Sequence, residues 1–379
     1  MQLYRIEFFK NHYSADPEAR RLIYVHHDYM PDITIEDDYL AITSTPISIS
    51  PTTKVSIGNV VRILRDEQDY FFGIVSDVSN GEEDTRVTVK PFISIFDEEV
   101  LFNVLDQYYM QQNAGITLEA SLKKYIENYY VNNSDAIQDY PMTVTIPDEA
   151  YQTKKWSMAI SSDSEDTNYA VVGLYSELIV TALKAFGVAV IFRPNFSTGK
   201  ISVLISKPSM VSHIDADLDN VTVKTFKVND RAANLNKLTI YDTLTLQMTN
   251  YYVHPDMSWG NDPTDQSSNR ITPVNRAIRS VTISGAYSDN PATDFLYEAE
   301  ATAYEELSGL EWNNLIELEC LPDDSLVNPQ SLRIGQKVYI YYKGTRYVSI
   351  LTGRTLTYEA TTLIFGSERI SFSKLKNKK

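Results

Sequence analysis

The sequence predicts a multi-domain α+β protein in which two similar β-barrel-like domains, one near each end, are combined with α+β domains. Three observations predict it: the length, a strand-type period near both ends with helical periods between them, and one short strand–turn–strand pattern that occurs twice. At 379 residues the chain is longer than one hydrophobic core usually serves. Its 43% hydrophobic and 22% charged residues, with 14 glycines and 15 prolines, describe a packed protein rather than a disordered or fibrous one.

The first unit, 1–98, reads as β throughout. Val61 and Ile63 flank Arg62, Tyr70 to Val75 is nearly all apolar, and Val87 and Val89 alternate with Arg86, Thr88 and Lys90. Asn80-Gly81-Glu82-Glu83-Asp84 sits where a hairpin turn belongs. The second unit, 99–213, is α+β. Asp97-Glu98-Glu99 places acid where a helix N-terminus favours it, ahead of Val100, Leu101, Val104, Leu105 and Tyr108 on one helical face. Thr117 caps a helix through Leu118, Leu122, Tyr125, Ile126 and Tyr129, and a third helix runs from about Tyr169 to Phe186, stopping at Gly187. Val188 to Phe192 and Ile201 to Ile205 form a hairpin around Pro194-Asn195.

Strand patterns resume at Val221 to Val228 and Leu238 to Met248. These join 312–379 in a second barrel, with strands over Leu315–Leu321, Lys337–Tyr342, Tyr347–Leu351 and Thr361–Phe365. An α+β unit, 249–311, is inserted between them: a long exposed loop over 250–276, then a helix capped by Thr293 and ended by Gly309.

Charge and cysteine usage exclude several function classes. The formal net charge is −16 and no Lys/Arg-rich stripe occurs, which argues against tight nucleic-acid binding. The basic run Lys374, Lys376, Lys378 and Lys379 reads as a solvated tail. Cys320 is the single cysteine, so it closes no intramolecular disulfide, and this suits synthesis in a reducing cytoplasm. Met1 to Phe9 alternates as a strand rather than as a secretory signal, and no apolar run of spanning length follows, so no membrane anchor is expected.

The repeat sets Ile57, Gly58, Val61 and Ile63 over Ile334, Gly335, Val338 and Ile340, with Tyr70 falling on Tyr347 without a gap. In both copies a glycine permits a tight turn, a strand follows, a polar turn intervenes and an aromatic-apolar strand returns. Pro51 and Pro329 precede them. These ten residues are the repeat and interface candidates.

The second copy, from Asn328-Pro329-Gln330-Ser331-Leu332-Arg333-Ile334-Gly335 through Tyr347-Val348-Ser349-Ile350-Leu351-Thr352-Gly353 to Phe365-Gly366-Ser367, resembles the closing stretch of siphophage tail-tip proteins. With Asn234 to Tyr241 and Tyr70 to Val75, the chain is similar to the tail-associated baseplate protein of lactococcal-type phages, related to the contractile-phage baseplate hub. The resemblance implies a baseplate-hub-like fold and a homotrimer at the virion tail tip, whose six barrels continue the tail tube. It further implies docking to the distal tail protein and other baseplate subunits, and gating of the lumen through which DNA and the tape-measure protein pass. An acidic chain suits a bore that must not grip phosphates.

No catalytic, metal or cofactor set is expected. His-Glu-x-x-His and Gly-x-Ser-x-Gly patterns are absent, and His12, His26, His27, His213 and His254 lack metallopeptidase spacing. Cys320 lies in an alternating strand as a structural thiol. Adjacent His26 and His27 point to opposite faces of an extended segment. Asp215, Asp217 and Asp219 open like a calcium loop, but Asn220 replaces the turn glycine and Phe226 the closing glutamate. The competing function is host-receptor or carbohydrate binding, from the 26 tyrosines and the aromatic segment Tyr251 to Asp262 with Trp259.

Overall fold

The computed structural model describes residues 3–368 apart from 15, 66, 104–115, 133–139, 155, 157–169, 209–210, 229–234, 255–258, 264–274, 282–290, 308 and 310–311. The tail lysines Lys374, Lys376, Lys378 and Lys379 lie outside the described residues.

Seven strands come first: β1 (Tyr4–His12), β2 (Arg21–Met30), β3 (Ile35–Asp38), β4 (Thr45–Ile49), β5 (Val60–Arg65), β6 (Gln68–Asn80) and β7 (Thr85–Pro91). All but β3 pair in the order β2-β1-β5-β6-β7-β4. Alternation places Tyr4, Ile6, Phe8, Val61, Ile63, Phe71, Val75, Val87 and Val89 together in one core, as period-two burial requires. The expected barrel is not closed: among the described residues no ladder joins β2 to β4. The two edges meet through a side chain instead, where the Asp28 carboxylate of β2 accepts from the Ser50 amide just past β4 at 2.6 Å.

The middle of the chain holds β8 (Glu99–Asn103), α1 (Leu118–Ile126), β9 (Met142–Thr145), β10 (Ala170–Leu174), α2 (Tyr175–Phe186), β11 (Ala189–Asn195) and β12 (Lys200–Ser206). Thr117 caps α1, its hydroxyl accepting from the Ala120 amide at 3.2 Å, and Gly187 ends α2 at φ +68°. Two expectations are corrected here. Residues 99–103 form a strand and not the start of a helix, because they pair antiparallel with β10; Val104, Leu105 and Tyr108 lie outside the described residues. The same ladder delays the following helix to Tyr175. Val100, Leu101 and Phe102 of one segment and Val171 and Val172 of the other suit strands, and pairing with each other overrides a short helical spacing. α1 and α2 share one core with β9, β11 and β12, centred on Leu122, Tyr175, Ile179, Leu183 and Val203.

The last part contains β13 (Val211–Asp215), β14 (Thr222–Val228), β15 (Leu235–Asp242), β16 (Met248–Val253), β17 (Trp259–Gly260), β18 (Asn275–Val281), α3 (Pro291–Leu307), β19 (Asn314–Cys320), β20 (Lys337–Tyr342), β21 (Thr345–Leu356) and β22 (Thr361–Phe365). One sheet runs β13-β20-β21-β22-β19-β14, and a smaller one runs β17-β16-β15-β18. Leu238, Ile240, Tyr251 and Val253 of the smaller sheet pack against Phe295, Ala299 and Ala303 of α3. Thus β15 lies in the sheet beneath α3, whereas the sequence grouped it with 312–379. Thr293 falls inside α3 and not at its cap, since Pro291 opens the first turn. The start of 250–276 is not an exposed loop: Tyr251, Val253 and His254 are buried.

The larger sheet curls. Its two edge strands β13 and β14 are consecutive in the chain, joined by the turn over 216–221, and Ile214 of one and Val223 of the other pack into the same core. Among the described residues no ladder closes the two edges. Among the described residues no helix is long and apolar enough to cross a membrane.

Cys320 faces this core, and burial, with Asp324 and Glu319 nearby, pushes its thiol up to about 12. It therefore stays protonated through pH 8. Alkylation of the folded chain at pH 8 is expected to be slower than that of the denatured chain by at least about 100-fold; comparable rates would place the thiol outside the core.

Candidate functional site: a sheet built twice

Six of the ten repeat candidates fall in two matching four-stranded sheets, and Ile57, Gly58, Ile334 and Gly335 lie in the turns that lead into them. β5-β6-β7-β4 and β20-β21-β22-β19 have the same order, and every pair within them is antiparallel. In sequence each set is one strand, a long connection, and three strands linked by hairpins, with the last returning beside the first.

The correspondence extends to single hydrogen bonds. Gly58 (φ +83°) donates to Val75 O at 2.9 Å, and the Val75 amide returns to Asn59 O at 2.8 Å. Gly335 (φ +80°) donates to Leu351 O at 2.7 Å, and the Leu351 amide returns to Gln336 O at 3.0 Å. The turn before each glycine is held by a side-chain amide: Asn59 Oδ1 accepts from the Ser56 amide, and Gln336 Oε1 from the Arg333 amide, both at 3.0 Å. Val61, Ile63, Val338 and Ile340 are all fully buried, each pair in its own sheet's core.

Farther along, one extra residue bulges from the long middle strand of each copy, Ser76 in β6 and Thr352 in β21. Each bulged hydroxyl donates to the carbonyl across the ladder, Ser76 to Thr88 O at 3.1 Å and Thr352 to Ile364 O at 3.2 Å. Thr85 and Thr361 then occupy the same buried position at the start of the returning strand. None of these four hydroxyl residues, nor Asn59 and Gln336, stood out in the sequence. Their signal was available as like chemistry at a constant offset, hidden by one inserted residue.

That inserted residue is Tyr70, and the gapless pairing of Tyr70 with Tyr347 is corrected. Ile63 pairs with Phe71 where Ile340 pairs with Tyr347. The register of β5 and β6 shifts between Ile63 and Leu64, which leaves Tyr70 as the extra residue. Tyr70 joins the two copies: its hydroxyl donates to Thr357 O at 3.0 Å. Beside it the Arg65 guanidinium lies 4.9 Å from the Tyr358 ring. Tyr347 packs edge-on to Phe226 within its own sheet.

The main link between copies is backbone. β3, supplied by the first part of the chain, pairs antiparallel with Gly353–Leu356 of β21. Arg354 and Asp37 form an ion pair across it at 3.2 Å, the Tyr39 amide donates to Thr352 O at 3.0 Å, and the Val190 amide donates to the Tyr39 hydroxyl at 2.9 Å. Leu356 enters the first sheet's core.

Outside this frame the copies diverge. Ile57 is 65% exposed and a Cβ on Gly58 would meet nothing, whereas Ile334 is half-buried and Gly335 packs on Ala189 and Leu183. On the outer face of the first sheet Glu7, Arg62 and Asp69 form a charged row, with Arg62 over Phe196 at 4.5 Å. Burial alone would depress the Arg62 guanidinium, but its bonds to Asp69 and Glu7 outweigh that and hold it above the usual arginine value. The second sheet carries His213, Tyr339 and Arg346 at this face instead.

Metal and sugar chemistry find little here. Among the described residues no group of three His, Cys, Asp or Glu side chains is placed to hold a metal. Asp215 accepts from the Asp217 amide and Asp217 from the Lys343 amide, so both shape turns. His27 meets Tyr24, while Asp28 accepts from the Ser50 and Tyr29 amides. Trp259 lies edge-on to Tyr251 and Tyr304.

This chain's structural neighbours include phage baseplate and tail proteins. A chain of the phage P2 baseplate in its activated conformation with Ca is 12% identical with a TM-score of 0.47, covering 98% of this chain and 100% of that one. The tail protein from Neisseria meningitidis MC58 is 13% identical with a TM-score of 0.48, covering 96% of each. The 43 kDa tail protein of prophage MuSo2 from Shewanella oneidensis is 12% identical with a TM-score of 0.47, covering 96% of this chain and 98% of that one. No family model matches the sequence, and no curated protein does.

The two glycines provide a test. Gly58→Ala is expected to cost about 1–2 kcal/mol, the left-handed backbone alone. Gly335→Ala adds a Cβ 2.8 Å from that of Ala189, an overpacking of about 1–3 kcal/mol more. Thermal unfolding should rank Gly335→Ala below Gly58→Ala, and equal losses would contradict the packing difference.

Proposed function

We propose that this chain is a structural subunit of a phage baseplate hub, at the distal end of the tail tube. The single observation that carries the reading is the duplicated sheet, alike in strand order, glycine turn, bulge and hydrogen bonds. A threefold assembly can meet a sixfold tube only if each chain presents two like surfaces. Three such chains place six related sheets in a ring. The ring docks to the distal tail protein and other baseplate subunits, and it gates the passage of DNA and the tape-measure protein.

The acidic balance of the chain fits this role, since a bore of like charge does not retain phosphates. The function rests on shape and assembly, with no catalytic residue. The carbohydrate-binding alternative gains no specific support, because Tyr251 is buried and the Trp259 ring is engaged by Tyr251 and Tyr304.

Light scattering should give three times the 43.1 kDa chain mass for the purified chain, and with its tail-ring partner a complex that holds three copies of it. A chain that remains monomeric in both conditions would remove the ring. Incubation with purified peptidoglycan is expected to release no soluble fragments, and measurable release would overturn the non-enzymatic reading.

A further inference from the structure

The small sheet β17-β16-β15-β18 buries one face under α3. Its register arranges the opposite face in rows. Farthest from the turn that joins β15 to β16, Lys237 stands across from Tyr252 and Arg276. Nearer the turn Ile278 lies beside Thr239, and nearest of all Tyr241 lies beside Met248. The turn itself carries Leu244 and Leu246. Leu246, Met248, Leu244 and Ile278 are 75%, 70%, 65% and 64% exposed, so this end of the sheet presents aliphatic surface to solvent.

The turn is held firmly. Asp242 is fully buried, and its carboxylate accepts from the Thr245 amide at 2.9 Å and from the Thr245 hydroxyl. Its carbonyl accepts from the Leu246 amide at 3.0 Å, with Leu246 in the left-handed region at φ +58°. Glycine or asparagine would occupy that backbone more easily and expose no aliphatic side chain. The leucine therefore answers to something outside the fold.

Polarity is graded along the strands. No charged residue occurs from Thr243 to Val253, and the buried Asp242 is the only acid of β15, β16 and β18. Lys237 and Arg276 lie four residues behind the Tyr241 and Met248 row, about 13 Å. The Tyr252 ring shares their row, 5.8 Å from Lys237 Nζ. Arg279 belongs to the other face, paired with Glu306 of α3. An aliphatic tip, then tyrosine, then cations is the order of acyl chains, interface and anionic headgroups in a lipid leaflet. A protein partner has no reason to sort its contacts by depth; a bilayer does.

We propose that the β15–β16 turn inserts into the surface of an anionic lipid bilayer. Leu244, Leu246 and Met248 enter the acyl boundary, and Lys237 and Arg276 meet lipid phosphates. The net charge of −16 repels such a surface elsewhere, which confines the contact to this end of the sheet. The inference does not depend on the ring reading.

The test floats the full-length chain with vesicles of phosphatidylcholine and phosphatidylglycerol at about 70:30, and with phosphatidylcholine alone. Binding is expected to the first and to be at least about fivefold weaker to the second. The variant Leu244→Gln/Leu246→Gln/Met248→Gln should weaken it at least about tenfold, and Lys237→Gln/Arg276→Gln at least about fivefold on the anionic vesicles. Leu326→Gln, at a leucine 69% exposed between β19 and β20, should leave it unchanged. As a second readout, a nitrobenzoxadiazole label on Leu246→Cys is expected to brighten with vesicles and to be quenched by doxyl-labelled acyl chains, and one on Leu326→Cys to do neither. No binding to either vesicle, binding that survives the triple variant, or a label at position 246 that stays in water would each overturn the inference. So would a fall in light-scattering mass for the triple variant, which would make the tip a contact between copies.

Discussion

A sheet edge must send its backbone hydrogen bonds somewhere, and in this chain the pairing of Ile35–Asp38 with Gly353–Leu356 decides where. That short ladder connects residues more than three hundred positions apart and makes one body of the two ends. The Arg354–Asp37 ion pair, the Tyr39 bonds and the insertion of Leu356 into the first core all depend on it. The ion pair itself is partly exposed, its two side chains at 26% and 23%, and contributes little alone; geometry comes from the ladder.

The duplicated sheets show which parts of a repeat sequence must retain. The glycine turn needs a left-handed backbone, the bulge needs a hydroxyl to satisfy the carbonyl it displaces, and inward positions need apolar volume. Those features recur. The outer faces answer to different neighbours, the Phe196 hairpin tip on one sheet and His213 with Tyr339 on the other, and there the sequences share nothing. Low identity over a conserved frame is the expected result when each copy docks against something different.

Much of this was legible from residues alone. The strand periods, the Thr117 cap, the Gly187 stop and the 189–206 hairpin follow from local chemistry. What escaped was set by partners distant in sequence. The segments 99–103 and 170–174 read as helical until each is seen as the other's ladder partner. β3 is four residues long and carries Glu36, Asp37 and Asp38, so no hydrophobic pattern marks it as the strand that joins the copies. The misplacement of Tyr70 has the same origin: a bulge changes register without changing composition.

The central claim is that one chain carries two equivalent sheets so that three chains can imitate six. Electron microscopy of the assembled particle tests it most directly. The account predicts a threefold ring in which β4–β7 and β19–β22 alternate at one radius, about sixty degrees apart, facing the tail tube in the same orientation. Two sheets at different radii, or turned to different faces of the ring, would contradict it.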